Sequence, residues 1–459
     1  MFGRGKQRGS IGIDMTTGAM LPKVFRFAIP LMLSGVLQVL YNAADVVVVG
    51  QFAGAQALAA VGSTGALINL IVGMFTGLST GAGVAVARAY GAGDYKLVQR
   101  YIHTAISLAI ITGVAVLGLG QAICRQMLVW MGSPEDVIDL TELYLRIYFI
   151  GMPAVMLYNY GAAILRAIGD TKRPLYYLTL SGLVNVVLNL ILVIFFHMGV
   201  AGVGIATVVS QVISCALVII CLMRTEGAAH LDFSRLILDK KAMGVMLHVG
   251  LPAGIQGTVF ALSNVLIQSS INSFGSIAMA GNSAAANLEG ICWTCTNSFH
   301  QAAVTVSSQN LGAKKYDRVR RTLWVCLGSV MIAGALVGNL INLLGVQLLG
   351  LYNSDPEVIR FGLIRLNLIM PIHFICGMMD VTSGQLRGVG YSITSMVIAL
   401  TGACAFRILW LQTVFAANPT LYTLYVSYPV SWSLTCAVNL LFCLIAARRK
   451  LPKTNGVPA

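Results

Sequence analysis

Apolar runs of about 20 residues recur along the whole chain, and they limit its possible folds more than any other feature. A helix of this length crosses the hydrocarbon core of a membrane, where every backbone polar group must be hydrogen bonded within the protein. Membrane β-barrels are built from alternating segments of about ten residues, which do not match continuous apolar runs. The sequence therefore predicts an all-α membrane protein. The clearest runs occupy residues 175–196, 200–223, 323–344 and 421–446.

Composition excludes a soluble fold. Charged residues make up only 10% of the chain and hydrophobic residues 57%, whereas a soluble domain carries about 25% charged residues. The ten cysteines lie mostly within the apolar runs, which is typical of buried thiols and not of a disulfide framework. The CxxC pair of Cys292 and Cys295 has no second pair, so we expect packing there and no metal site.

We predict twelve spans in two pseudo-symmetric six-helix bundles. Lys and Arg residues concentrate at the chain ends and in loops 2–3, 4–5, 6–7 and 8–9, which places both termini in the cytoplasm of a cell-membrane protein. This distribution accounts for the formal charge of +14 without a nucleic-acid partner. The predicted spans are 24–48, 57–87, 101–123, 143–165, 175–196, 200–223, 242–271, 277–309, 322–349, 358–386, 392–416 and 421–446. The predicted domains are a tail at 1–23, lobes at 24–223 and 242–446, a linker at 224–241 and a tail at 447–459.

Short sequence motifs of the first half recur in the second half at an offset of about 221 residues, which is the spacing between Gly169 and Gly390. Six spans per half is an even number, so both halves enter the membrane from the same side and form parallel repeats. Such halves typically hold a central site at their interface and expose it alternately by rocking. The matched landmarks are 92–100 with 313–321, 165–169 with 386–390, and Ile29-Pro30 with Leu251-Pro252.

Three acidic residues, Asp45, Glu289 and Asp380, fall inside predicted spans. A charge near the bilayer centre costs about 2.5–3.5 kcal/mol on insertion scales, so such residues face the bundle interior and pair, protonate or bind ions. We predict that Asp45 binds the coupling ion, H⁺ or Na⁺. The alternative is a buried carboxylate that neighbouring hydroxyls and amides satisfy.

Oxygen ligands accompany Asp45 in the first half. Asn185 and Asn189 share one helix face at i and i+4, and Thr207 follows in the next span. These groups suit Na⁺ or the partners of a protonated carboxyl, although polar contacts between helices are an equally good interpretation. Pro30 interrupts the span of Asp45 and is the predicted conformational hinge.

We predict a substrate cavity in the second half around its two in-span acids. Adaptable methionines and aromatic rings near these acids suit bulky organic cations, by contact and by cation–π attraction. Packing against lipid or core is the alternative role of the rings. The predicted cavity residues are Glu289, Asp380, Gln256, Asn264 and Asn297.

Together these residues resemble the multidrug and toxic compound extrusion (MATE) family over nearly the whole chain. The resemblance rests on Pro30 and Asp45-x₄-Gly50 in the first span, on residues 165–171 followed by Pro174, and on Asn185-x₃-Asn189. It implies export of cationic amphiphilic compounds in exchange for Na⁺ or H⁺, without a further cofactor.

The same resemblance implies coupling-ion roles for Asp45, Asn185, Asn189 and Thr207. Many members have Asp where this chain has Asn189. With one carboxylate fewer the site carries less negative charge, so the choice between Na⁺ and H⁺ stays open. The chain is expected to be a monomer and not an enzyme.

The main alternative is a lipid-linked saccharide flippase with a related two-lobed fold. Such a protein needs a cationic cavity for phosphate head groups, so arginines or lysines on the cavity wall would favour it. A membrane enzyme or receptor is the other class, and no loop is long enough for a ligand domain.

Overall fold

The structure, a computed structural model, describes residues 12–130 and 135–449. In these ranges the regular elements are helices, joined by short turns and without strands. They are α1 (Met20–Phe52), α2 (Ala55–Gly91), α3 (Tyr95–Trp130), α4 (Glu135–Ile150), α5 (Met152–Ala167), α6 (Lys172–Leu190), α7 (Gly199–Arg224), α8 (Lys240–Asn272), α9 (Ser276–Gly312), α10 (Tyr316–Leu343), α11 (Gly345–Gly350), α12 (Pro356–Ile369), α13 (Phe374–Val389), α14 (Ser392–Ala399), α15 (Phe406–Trp410) and α16 (Leu421–Arg449). Three π-helical segments extend α6 and link α14, α15 and the following turn: Ile191–Phe195, Leu400–Ala405 and Leu411–Phe415.

Among the described residues, nine helices are long and apolar enough to cross a membrane, and two bent helix pairs raise the number to eleven. The pairs are α4–α5, bent by 47°, and α12–α13, bent by 51°. The predicted span at 277–309 falls on α9, which is long enough but is not among the eleven. Its many Asn, Ser, Thr and Gln side chains lower its hydropathy. The all-α membrane architecture is confirmed, with α9 as the most polar of the predicted spans.

The backbone repeats with the period seen in the sequence. Three pairs of residues, each 221 positions apart, have positive φ. Glycine adopts this left-handed region without steric cost, so each pair marks the same turn in both halves. The pairs, with their φ values, are Gly54 (88°) and Gly275 (93°), Gly93 (73°) and Lys314 (57°), and Gly169 (91°) and Gly390 (99°).

The predicted domain boundaries stay a prediction. Between the halves, α7 ends at Arg224 and α8 begins at Lys240, which leaves a short linker with one 3₁₀ turn. Helix α1 begins at Met20, inside the predicted tail of residues 1–23. Residues 1–11 of that tail and 450–459 of the tail at 447–459 lie outside the described residues.

Helices α2 and α8 bring the two halves into direct backbone contact. A Cβ atom on Gly81 would lie 2.6 Å from the Gly250 nitrogen, and one on Gly77 would lie 2.8 Å from the Ala253 carbonyl carbon. Small residues at a crossing let membrane helices approach this closely. The contact therefore requires glycine at these positions.

The same closure continues to the ends of α2 and α9, on the predicted cytoplasmic side. A Cβ on Gly91 would lie 2.7 Å from the Gln309 Cα, and one on Gly312 would lie 2.8 Å from the Arg88 carbonyl carbon. Arg88 Nη2 donates to the Gly388 carbonyl at 3.2 Å, which ties α2 to α13. The two halves are thus sealed against each other at this end.

Residues ahead of α1 add a strap across the seal. The Ile13 N–H donates to the Gly169 carbonyl of the first half at 3.2 Å. The Met15 N–H donates to Gln309 Oε1 of the second half at 3.3 Å, and Gln309 Nε2 donates to the Ala167 carbonyl at 2.6 Å. Because Met15 is also 1% exposed, this segment is packed between the halves.

Candidate transport site

A cavity of about 900 Å³ lies among the helices of the second half and faces α2 and α5 of the first. Its walls come mainly from α8, α9 and α13 of the second half and from α2 of the first, and α12, α15 and α16 add a few further residues. Sites for small organic molecules in proteins have volumes of about 300–1,000 Å³. The cavity is therefore large enough for a drug-sized molecule.

All five residues of the predicted cavity line this one space. Gln256 and Asn264 come from α8, Glu289 and Asn297 from α9, and Asp380 from α13. They meet because α8 and α9 are consecutive antiparallel helices and α13 packs against α9. Whether they bind the cargo stays a prediction.

Glu289 is held in a buried ion pair. Its Oε2 atom lies 2.6 Å from Arg365 Nη2 and 3.0 Å from Arg365 Nε. Arg365 also donates to Asn282 Oδ1 at 2.5 Å, and this oxygen accepts a second bond from the Tyr425 hydroxyl at 3.0 Å. We expected an acid free to attract a cation, but the structure places a fixed arginine against it. The two residues are 76 positions apart, so only the fold reveals the pair.

Asp380 is not part of an ion pair in the described ranges. It lies close to Trp293 and within the electrostatic influence of Arg387. Asp380 and Arg387 are seven positions apart on α13, so both face the same side of that helix. Asp380 is thus the one cavity carboxylate without a bound cation in the part of the chain described.

Four arginines line the cavity beside the two carboxylates. Arg387 donates to Gln256 Oε1 at 2.7 Å, and its Nε atom is buried without a hydrogen-bond partner. Arg407 donates to Ser431 Oγ at 2.9 Å and lies over the Tyr428 ring at 4.2 Å. With both histidines neutral, the wall has a formal charge of +2. The arginines on the cavity wall are Arg166, Arg365, Arg387 and Arg407.

We did not predict these arginines as cavity residues, although a signal was present. Arg166 and Arg387 are 221 positions apart, and each directly follows a predicted span. A basic residue at such a position is typical of the cytoplasmic membrane surface. Arg407 lies inside the predicted span 392–416. The cost argument that singled out the in-span acids applies equally to this arginine.

The predicted coupling site is partly assembled. Asn189 Nδ2 donates to Asp45 Oδ1 and lies 3.3 Å from Asn185 Oδ1. Asn189 is fully buried and its Oδ1 atom has no hydrogen-bond partner. A carboxylate beside an unused amide oxygen can hold a proton or a small cation. The structure thus brings three of the four predicted residues together.

Thr207 is the fourth predicted residue, and its hydroxyl is used elsewhere. Its Oγ1 atom donates to the Val203 carbonyl, one turn earlier on α7, at 2.9 Å. Threonine within a helix commonly bonds back to the i−4 carbonyl in this way. Its role in coupling therefore stays a prediction.

The buried pair predicts a stability effect at Glu289. Replacement of Glu289 with Gln leaves Arg365 buried without its counter-charge, and loss of one partner of a buried pair costs about 3–5 kcal/mol. We expect a clear fall in the thermal unfolding temperature of the purified protein in detergent. Glu357→Gln is the matched control, because its pair with Arg360 is exposed. Equal unfolding temperatures for the two variants would show that the Glu289 pair adds no stability.

These features define a class of membrane protein. A repeated α-helical bundle, a cavity lined by charged residues among the predicted spans and a separate half-buried carboxylate are typical of a secondary transporter. The MatE family profile matches residues 30–191 and 252–411. The chain therefore belongs to the MATE family of membrane transporters, and the resemblance seen in the sequence is confirmed.

Similar proteins match this chain over most of their length. It is 27% identical over 390 residues to the probable multidrug resistance protein YoeA of Bacillus subtilis, covering 83% of this chain and 84% of the relative. It is 24% identical over 376 residues to the FAD transporter of Shewanella oneidensis, covering 80% and 82%.

Solved structures show the same fold. One is a multidrug resistance MATE family transporter of the MOP superfamily in an outward-facing conformation, with a TM-score of 0.89, 20% identity and coverage of 96% of this chain and 99% of that one. Another is a MOP superfamily transporter from Pyrococcus furiosus whose binding pocket has reverse polarity, with a TM-score of 0.90, 19% identity and coverage of 96% and 100%.

Proposed function

We propose that this chain exports small amphiphilic organic molecules in exchange for H⁺ or Na⁺, by rocking of its two lobes around a central cavity. The observation that carries the proposal is the presence of two separate polar sites. The cavity lies mainly in the second half, and the bonded trio of Asp45, Asn185 and Asn189 lies in the first. Several relatives, including YoeA, are named as multidrug resistance proteins.

Helix α1 connects the two sites. It carries Asp45 toward one end and packs against α9, with Gly35 directly against the side chain of Thr294. Thr294 lies between Glu289 and Asn297, both on the cavity wall. A change in the bend of α1 therefore shifts the wall of the cavity.

Pro30 is the proposed hinge for this change. It lies inside α1, where its ring removes a backbone hydrogen bond and allows a kink. Neutralisation of Asp45 by an arriving ion weakens its bond from Asn189 and frees α1 to bend. The α2–α8 and α2–α9 seals on the predicted cytoplasmic side correspond to the outward-facing state of this cycle.

The charge of the cargo needs a separate argument. From the sequence we expected organic cations, but the arginines on the wall outnumber the carboxylates. That outcome favours the alternative of a lipid-linked saccharide flippase, which binds phosphate head groups. Membership of the MATE family counts against the flippase, so we keep it as the second candidate.

Dye efflux from cells that express the protein tests the export proposal. We expect faster efflux of at least one amphiphilic dye, with ethidium and an anionic dye measured in parallel. The proton gradient and the Na⁺ gradient are then removed one at a time. Removal of only one of them should abolish the acceleration, and that gradient identifies the coupling ion. Efflux that stays at the level of control cells for both dyes, under every gradient, would contradict the proposal.

A further inference from the structure

We propose that the cavity selects amphiphiles with an anionic group, such as a carboxylate, phosphate or sulfonate, and that Arg387 and Arg166 hold that group. This inference rests on the proposed export function, because it assumes that the cavity is the transport site. The inference concerns the cavity wall in the state in which α2 is closed against α8 and α9. To the proposed export function it adds the chemical class of the cargo.

The first argument is the balance of charge after internal pairing. Glu289 and Arg365 neutralise each other at 2.6 Å. What remains on the wall is Asp380 against Arg166, Arg387 and Arg407. A buried cation without a counter-charge is costly, and an anion that enters the cavity supplies what the protein lacks.

The second argument is the unfilled bonding capacity of Arg387. This side chain is only 8% exposed, and it uses Nη2 to donate to Gln256. Its Nε atom is buried and has no partner. The guanidinium fork can hold a carboxylate or phosphate with two parallel hydrogen bonds, and this geometry is specific to planar or tetrahedral oxyanions. Arg166 faces the same cavity and forms no ion pair among the described residues.

The third argument removes the main attraction for a cationic cargo. Tyr428 and Trp432 line the cavity, but Arg407 already lies over both rings, at 4.2 Å and 5.9 Å from their centroids. Arg365 lies over the Tyr428 ring as well, at 5.5 Å. A second cation at these faces would meet the repulsion of the first. The rings thus hold the protein's own arginines and are not open cation sites.

Two other aromatic residues provide the apolar surface that an amphiphile needs. Phe260 on α8 and Trp293 on α9 line the same cavity. A flat hydrophobic body packed against them lies in the same space as the Arg387 guanidinium. This combination of an apolar wall and an excess of positive charge fits an aromatic or acyl body with one anionic group.

A matched pair of probes tests the charge preference directly. We would measure binding of naphthalene-1-sulfonate and of 1-naphthylmethylammonium to the full-length protein in lipid nanodiscs by titration calorimetry. The two probes share one ring system and differ in the sign of the charge. We expect the sulfonate to bind more tightly, with an affinity that falls as salt rises.

Variants then assign the preference to the arginines. Arg387→Gln should weaken sulfonate binding about tenfold or more, because the variant loses a hydrogen bond between two charged groups. Arg387→Lys should restore part of the loss because it keeps the charge without the fork. Arg235→Gln removes a 75% exposed arginine of the linker and should leave binding unchanged. If Arg387→Gln fails to fold, Arg166→Gln provides the same test with the same expected direction.

Tighter binding of the ammonium probe, or unchanged sulfonate binding in both Arg387→Gln and Arg166→Gln, would overturn the inference. These results are distinguishable from failure of the export proposal. Sulfonate binding without any dye efflux would reject the transport role and keep the site. Efflux that is restricted to ethidium would keep the transporter and reject the anionic cargo.

Discussion

Gly312→Ala is expected to slow export by about fivefold or more while the protein still folds. The added methyl would collide with the backbone of Arg88, with the carbonyl carbon at 2.8 Å and the Ala92 nitrogen at 3.1 Å. Backbone atoms cannot rotate away, so the seal between α2 and α9 must open. Overpacking of this kind costs about 1–3 kcal/mol, which lowers the population of the sealed state by about fivefold or more. The rate is measured as substrate transport by the purified protein in liposomes.

Gly328→Ala is the matched control for this prediction. Gly328 lies within α10, and a Cβ there would meet open space, so transport should be unaffected. Gly91→Ala, on the opposing surface, should slow transport as Gly312→Ala does, because its methyl would meet the backbone of Gln309. Normal transport by both seal variants would mean that the cycle does not pass through this closed contact.

Asp45→Asn is expected to uncouple binding of the cargo from binding of the ion. In the native protein the two ligands should weaken each other by the same factor, which lies at about 5–150-fold for typical couplings. Asparagine keeps the size of the side chain and an oxygen that accepts from Asn189, but it has no charge to neutralise. The factor should therefore fall to one. The measurement is cargo affinity as a function of pH and, separately, of Na⁺ concentration.

Asp94→Asn is the appropriate control for this experiment. Asp94 caps the start of α3 with a bond from the Leu97 N–H, and asparagine can accept the same bond. Its coupling factor should match that of the native protein. If Asp45→Asn retains the native factor as well, then Asp45 has no part in the ion site and another titratable group must replace it.

The helices could be predicted well because membrane insertion imposes a simple rule. Apolar length and the loop charges locate the spans without knowledge of packing. Helix α9 is the informative exception, since it was predicted as a span but its polar residues keep its hydropathy below that of the other spans. The bends of α4–α5 and α12–α13 were not predicted. Pro153 and Pro371 lie at these breaks, but a proline does not determine the angle.

The cavity could be predicted only in part. The cost of a buried charge singled out Glu289 and Asp380, and both line one space. That argument does not reveal which charges pair, because Arg365 reaches Glu289 from a different helix. Arg387 was missed for a related reason, since its position at the end of a span is compatible with an exposed anchor. Tertiary packing determines which charged residues line the cavity and which of them pair, so the net charge of the wall could not be predicted from the sequence.

The coupling trio illustrates the opposite case. Asn185 and Asn189 share a face by helical periodicity alone, so local geometry predicts their proximity to each other. The resemblance to the MATE family suggested that they lie near Asp45, and the fold shows Asn189 bonded to it, while their role in coupling stays a prediction. Thr207 came from the same resemblance, but its hydroxyl is bonded within its own helix.

Ion movement driven by cargo tests the central claim most directly. The purified protein is reconstituted in liposomes that contain a pH-sensitive or Na⁺-sensitive dye, and an amphiphile gradient is imposed with no ion gradient present. We predict that the amphiphile drives H⁺ or Na⁺ in the opposite direction in the native protein and not in Asp45→Asn. Amphiphile transport by the native protein without any counter-movement of either ion would contradict the exchange mechanism.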